Sequence, residues 1–135
     1  MEFSASDQYL LAVTKDRQVL LFKRDSPQDC TFSLAERVKE AHTRVIWALS
    51  WSHDDLLFAT SSRENKRSVK IWNGPSPSEA LCSLHSELPS GSVPSATAVQ
   101  FFPSQVCGGK YALIVGQESG ALTVWVMVGE WQMVH

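Results

Sequence analysis

Apolar residues along the chain occur in short runs that polar and turn-forming residues separate. The run Val45–Trp51 is rich in β-branched and aromatic residues, and Val69–Trp72 alternates apolar with polar positions. Both patterns are typical of β-strands with at least one buried face. Between such runs lie tight turns, for example at Ser52–Asp55, whose side chains favour turn hydrogen bonds. The pattern therefore predicts an all-β fold built from short strands.

The same succession of strands and turns occurs three times. Each copy closes with a strand that ends in an aromatic residue, at Phe22, Trp72 and Trp125, about 50 residues apart. A fixed period of this length indicates stacked supersecondary units. We therefore predict about three four-stranded antiparallel units within one partial domain. Their predicted boundaries are residues 1–41, 42–92 and 93–135, with most of the first inner strand lacking.

An outer, fourth strand is predicted in each unit after the closing aromatic residue. These strands are expected at about Thr31–Leu34, Ala80–His85 and Trp131–Val134. The segment Ser33–Ala41 also contains good helix formers, and Ser33 with Glu36 has the spacing of a capping box. We still expect a strand followed by a loop, because the repeat places an outer strand here and tertiary context overrides propensity.

The second copy resembles a WD repeat. His42 stands where that family has the histidine of its Gly-His pair, and the copy closes with Val69–Asn73. Ala41 replaces the family's glycine, and Asn73 replaces its aspartate. The resemblance implies a β-propeller, a ring that typically has about 4–8 four-stranded blades. Since three blades cannot close such a ring, we expect an open, partial WD-repeat β-propeller from a fragment or a shortened isoform.

A narrower resemblance covers Leu10–Arg17 and His42–Ser52. These segments resemble the C-terminal part of the WD-repeat subunits of the Elongator complex. Such subunits are non-catalytic scaffolds in an assembly that modifies the wobble uridine of tRNA, with the chemistry in a different subunit. The resemblance therefore implies an interaction module whose partners are other Elongator subunits and whose contact with tRNA is indirect. An unrelated WD-repeat adaptor is the alternative within the same fold.

The WD-repeat resemblance also implies a buried hydrogen-bond network that joins the strands of one blade. Its expected members are His42, Trp72 and a hydroxyl group of the second strand, either Thr60 or Ser61. The family adds an acid from a turn, for which Asp16 has the right spacing in the first copy. The corresponding position of the second copy is Lys66. We therefore expect a partial network with a structural role.

Basic residues concentrate around one turn of the second copy. The patch consists of Arg44, Arg63, Lys66, Arg67 and Lys70. It predicts a rim surface for an acidic partner or, as an alternative function, for direct contact with RNA. The plainer interpretation is a solvated turn, because four or five charges give a modest field that salt screens.

Composition limits the remaining classes of function. The formal net charge is −2, so the whole chain has no general attraction to nucleic acid or to an anionic membrane. Cys30, Cys82 and Cys107 are widely spaced, which predicts reduced thiols in a cytoplasmic or nuclear protein. The apolar runs are far too short to cross a bilayer. We expect no membrane association.

Motifs for catalysis do not meet their spacing requirements. Gly108–Tyr111 lacks the pattern of a phosphate-binding loop, because a tyrosine follows the lysine. His53, Asp54 and Asp55 are consecutive turn residues, for which hydrogen bonds within the turn are the simplest role. The sequence therefore predicts no enzyme activity, no cofactor, no metal site and no small-molecule substrate. The aromatic residues Trp47, Trp51, Phe101, Phe102 and Trp125 are expected to pack in the core or between blades.

Overall fold

The structure is a computed structural model. It describes residues 1–4, 6–26, 28, 30–62, 69–74, 77, 80–84, 96–102, 111–118, 120–128 and 130–133. These residues form twelve strands and no helix. The strands are β1 (Glu2–Phe3), β2 (Tyr9–Val13), β3 (Val19–Arg24), β4 (Phe32–Val38), β5 (Ile46–Trp51), β6 (Leu57–Ser62), β7 (Val69–Asn73), β8 (Ala80–Leu84), β9 (Ala96–Phe101), β10 (Ala112–Gln117), β11 (Leu122–Val128) and β12 (Glu130–Met133).

The strands form three four-stranded sheets in the orders β1-β2-β3-β4, β5-β6-β7-β8 and β9-β10-β11-β12. All neighbouring strands pair antiparallel. The all-β prediction of three open four-stranded blades is confirmed. The competition between helix and strand at Ser33–Ala41 is resolved in favour of a strand. β4 runs to Val38, beyond the predicted end at Leu34 where a loop was expected, because pairing with β3 continues as far as Val38. The boundaries predicted between the blades stay predictions.

Two kinds of turn recur from blade to blade. In the first, the Ser4 amide donates to the Tyr9 carbonyl at 2.9 Å, and the Tyr9 amide donates to Ser4 Oγ at 3.1 Å. Ser52 makes the same pair with Leu57, at 2.8 and 3.0 Å. In the second kind, Arg17 and Gly120 both have positive φ angles, of 65° and 89°. The sequence repeat is therefore also a repeat of backbone geometry.

The core consists of two apolar layers, one on each face of the middle sheet. The layer between the first two sheets contains Leu11, Val19, Leu21, Ala41, Ile46, Trp51, Phe58 and Trp72. The layer between the second and third sheets contains Ala59, Val69, Ile71, Leu84, Ala96, Val99, Phe101, Leu113, Val115 and Trp125. Accordingly, β1 contacts β5, while β9 contacts β5 and β6. Successive blades thus stack face to face through their inner strands.

One predicted core aromatic does not lie in the core. Trp51, Phe101 and Trp125 are buried as expected, whereas Trp47 has 52% of its surface exposed. A register shift between Ile46 and Ala48 changes the alternation of β5 at this point. Trp47 therefore projects from the start of the strand instead of packing between blades.

Candidate functional site

The buried network of the second blade joins its entry segment to two strands. His42 Nε2 lies 2.6 Å from Thr60 Oγ1, and the indole nitrogen of Trp72 donates to the same oxygen at 2.9 Å. Ser62 Oγ lies 3.0 Å from His42 Nδ1. All four side chains are at most 3% exposed. Because unpaired polar groups are costly in such an environment, these contacts hold the segment before β5 against β6 and β7.

Thr60, not Ser61, is the hydroxyl group that meets His42 and Trp72. Side chains alternate along a strand, so Ser61 points to the opposite face of β6, where its Oγ atom is buried with no hydrogen-bond partner among the described residues. Ser62 was missed by the sequence prediction, although its position two residues after Thr60 places it on the same face. Asp16 is exposed in the β2–β3 turn of the first blade. Lys66 lies outside the described residues.

Hydrogen bonds and one aromatic stack join the first blade to the second at the inner strands β1 and β5. The indole nitrogen of Trp51 donates to the carbonyl of Glu2 at 3.2 Å, and the Trp51 amide lies 3.4 Å from Glu2 Oε1. Tyr9 stacks on Trp51 with ring centroids 5.8 Å apart. Both the amide and the hydroxyl of Ser6 donate to the carboxylate of Asp55. These contacts fix the rim at which β1 and β5 end.

A second junction joins the middle and third blades. The amide of Phe101 donates to the buried Ser50 Oγ at 2.9 Å. The hydroxyl of Tyr111 donates to Asp54 Oδ2, and Asp54 Oδ1 accepts hydrogen bonds from Ser52 Oγ at 2.8 Å and the Leu56 amide at 3.1 Å. The turn acid therefore makes the hydrogen bonds within the turn that its sequence predicts, and it also joins two blades.

Asp54 should make the fold sensitive to acid. Partial burial raises its pKa, but the hydrogen bonds from Tyr111, Ser52 and the Leu56 amide, together with His53, outweigh burial and hold the pKa below 3.8. Burial and Asp54 raise the pKa of Tyr111 to about 12, which keeps the phenol a donor. A lowered carboxyl pKa contributes stability above the ordinary pKa that is lost as pH falls through the folded value.

We therefore expect Asp54→Asn to flatten the fall in stability that the wild type shows as the pH drops below the ordinary carboxyl pKa, measured by urea denaturation. Asp16→Asn, which removes an exposed carboxylate from the β2–β3 turn, is the matched control and should keep the wild-type slope. Identical pH profiles for wild type and Asp54→Asn would contradict the role assigned to this carboxylate.

A basic cleft lies at the opposite end of β5. Its volume is about 480 Å³, and it is lined by Lys15, Arg17, Thr43, Arg44, Val45 and Trp47. These described lining residues include three cations and no carboxylate. The guanidinium of Arg17 donates to the carbonyl of Thr43 at 3.1 Å, and the amide of Ala41 donates to the carbonyl of Arg17 at 2.9 Å. The turn of the first blade is thus tied to the entry segment of the second.

Of the two patch residues that the structure describes, Arg44 lines this cleft and Lys70 does not. Lys70 is partly buried, and its ammonium donates to the carbonyl of Ala41 at 2.6 Å, so it helps to hold the segment before β5. Arg63, Lys66 and Arg67 lie outside the described residues. The sequence prediction missed Lys15 and Arg17 and assigned Trp47 to the core. The repeat offered a signal, because Lys15 and Arg17 belong to the first copy of the turn that was singled out in the second.

Two findings concern other classes of site. Within the described ranges, no three His, Cys, Asp or Glu side chains come together in a way that could hold a metal ion. In the same part of the chain, no helix has the length and apolarity needed to span a membrane.

Comparison with known proteins agrees with this architecture. The family model described as "WD domain, G-beta repeat" matches residues 30–73. The β-propeller domain of Cps50 (Swd1) from Myceliophteria thermophila superposes with a TM-score of 0.68 over 98% of this chain and 37% of that domain, at 12% sequence identity. The chain therefore has the fold of a partial WD-repeat β-propeller.

Within that class, the chain is similar in sequence to proteins named Elongator complex protein 2. Elongator complex protein 2 from Dictyostelium discoideum is 37% identical over 131 residues, which is 93% of this chain and 14% of that protein. Elongator complex protein 2 from Drosophila melanogaster is 34% identical over 149 residues, which is 99% of this chain and 18% of that protein. The chain is thus a relative of Elongator complex protein 2 and spans less than a fifth of the length of these two proteins.

Proposed function

We propose that the chain is a non-catalytic scaffold module of an Elongator-type assembly and that it holds an acidic segment of another subunit in the basic cleft. Such an assembly would carry out wobble-uridine modification of tRNA through a different subunit, in the cytoplasm and the nucleus. The proposal is supported by the relatives named Elongator complex protein 2 and by the WD-repeat fold, whose rigid blades present loops to partners.

The observation that carries this proposal is the charge and position of the cleft. Lys15, Arg17 and Arg44 converge on it from two different blades. Hydrogen bonds from the Ala41 amide to the Arg17 carbonyl and from the Arg17 guanidinium to the Thr43 carbonyl hold both segments in place. A preformed cleft loses little entropy when a partner binds, and convergent cations steer and select acidic segments. The half-exposed Trp47 adds a large apolar surface of the kind that anchors protein interfaces.

Reversing charge in the cleft should weaken capture of the assembly. Arg17→Glu combined with Arg44→Glu would place two carboxylates against an acidic partner, so we expect at least about a tenfold loss of affinity. The measurement is capture of purified Elongator subunits by the immobilised chain. Lys23→Glu with Arg37→Glu is the matched control, since both are exposed cations on β3 and β4, away from the cleft.

Direct contact with RNA is the second candidate, because bases stack on aromatic side chains that lie beside cations, as Trp47 lies beside Arg44. A tRNA retention assay at rising salt separates the two functions. Retention that falls steeply with salt and disappears in the Arg17→Glu/Arg44→Glu variant would support the RNA function. Capture of protein subunits that is equal for this variant and its control would contradict the proposed scaffold function.

A further inference from the structure

A second pocket lies at the opposite end of the inner strands from the basic cleft. Its volume is about 190 Å³, and residues at the ends of β1, β5 and β9 line it: Glu2, Phe3, Trp51, Ser52, His53, Gln100, Phe101 and Phe102. Pockets for small-molecule ligands typically measure roughly 300–1,000 Å³, so this one suits a single side chain better than a metabolite. All three blades contribute to it.

The lining combines aromatic rings with one carboxylate. Phe3 has 52% of its surface exposed, Phe102 is partly buried, and Trp51 and Phe101 form the buried base. Trp51 is fixed by its indole bond to the Glu2 carbonyl at 3.2 Å and by stacking with Tyr9. Aromatic faces and a carboxylate around one small space are the groups that bind an organic cation.

Charges around the pocket favour the same ligand. Asp54 and Asp55 belong to the turn that follows β5 at this rim, next to the lining residues Ser52 and His53. Glu2 is half buried, and burial raises its pKa more than the Trp51 amide and the terminal ammonium lower it. A bound cation would compensate this cost of burying the carboxylate.

The protein already makes one contact of this type close by. The guanidinium of Arg24 lies 5.4 Å from the centroid of the Phe32 ring, and Phe32 packs against Phe3 with centroids 5.8 Å apart. A planar guanidinium can stack on an aromatic face while its N–H groups donate to a carboxylate, which an ammonium does less well. The geometry points to arginine instead of lysine.

We propose that this pocket binds an arginine side chain from a segment of a partner protein. The guanidinium stacks on the rings of Phe3 and Phe102 and donates to the carboxylate of Glu2. The two ends of β5 therefore present opposite chemistry, a basic cleft at one rim and an acidic aromatic pocket at the other. The pocket does not share a residue with the cleft, so the two proposals stand or fall separately.

The test uses N-acetyl-arginine methylamide as the probe and the ¹⁵N-labelled full chain. We expect saturable chemical-shift changes at the Trp51 indole and at the amides of His53 and Phe102. The neutral isostere N-acetyl-citrulline methylamide should bind at least about fivefold more weakly, because it keeps the shape and loses the charge. Equal shifts with both probes, or no shifts at these residues, would overturn the proposal.

Variants check the assignment of groups. Glu2→Gln and Phe3→Leu should each weaken arginine binding at least about fivefold, whereas Glu36→Gln on the outer strand β4 should not. The isostere comparison is made on the wild-type chain, so it remains decisive if a variant fails to fold. The Arg17→Glu/Arg44→Glu chain should bind the probe normally, which separates failure here from failure of the basic cleft.

Discussion

Replacing Trp72 by alanine should lower the free energy of unfolding by about 3–5 kcal/mol, the usual range for removing a large buried aromatic side chain. Trp72 is 3% exposed and stacks on Phe58 with ring centroids 6.0 Å apart. Its loss would open a cavity between the first two sheets and would remove the donor to Thr60 Oγ1. Urea denaturation followed by far-ultraviolet circular dichroism measures the effect.

Smaller substitutions separate packing from hydrogen bonding. Trp72→Phe keeps most of the ring and loses the indole donor, for which we expect about 1–3 kcal/mol. Thr60→Val should cost a similar amount, and the double variant less than the sum, since both remove the same contact. Trp47→Ala is the control on an exposed tryptophan and should cost less than about 1 kcal/mol. A loss at Trp47 as large as that at Trp72 would contradict the placement of the core.

Replacing Gly74 by alanine should lower the free energy of unfolding by about 1–3 kcal/mol, because the added methyl group has no space. A Cβ atom at this position would lie 2.4 Å from the carbonyl oxygen of Asp55 and 2.8 Å from Trp51 Cζ3. The backbone cannot easily withdraw, since the Gly74 amide donates to the carbonyl of Leu56 at 2.8 Å. The same denaturation experiment gives the size of the loss.

Gly116→Ala provides the matched control for this prediction. A Cβ atom there would lie 3.4 Å from the Cβ atom of Ala98, which is an ordinary contact, so the change in stability should stay within about 1 kcal/mol. Equal stability of the two alanine variants would show that the turn before β6 can move away from Gly74. The arginine pocket offers a second readout, because Gly74→Ala would displace Trp51.

The two proposed sites depend on the same rigid elements. β5 begins at the basic cleft and ends at the arginine pocket, and the network around His42 and Thr60 holds its entry segment. Binding surfaces on a fixed frame keep their geometry, which is what a scaffold requires of its blades. A weakened network should therefore reduce partner binding at the cleft without any change to the cleft residues themselves.

Strands, turns and the buried network were within reach of the sequence. The outer strand β4 was predicted despite a helix-like composition, because the repeat set its place. His42, Thr60 and Trp72 were singled out through the WD-repeat resemblance, and the structure joins them by hydrogen bonds. The choice between Thr60 and Ser61 stayed open, since it depends on which face of β6 meets Trp72, and that face is set by strand register.

By itself, the sequence determined the features that repeat or that depend on near neighbours: the short strands, their grouping into units of four, and the turns between them. Only the tertiary structure decided which residues of different blades meet. Arg17 joins Arg44 in one cleft and Glu2 joins Phe102 in one pocket because sheets stack face to face. Such contacts link distant parts of the chain, and no local pattern records them, since they arise from the packing of one apolar layer on another.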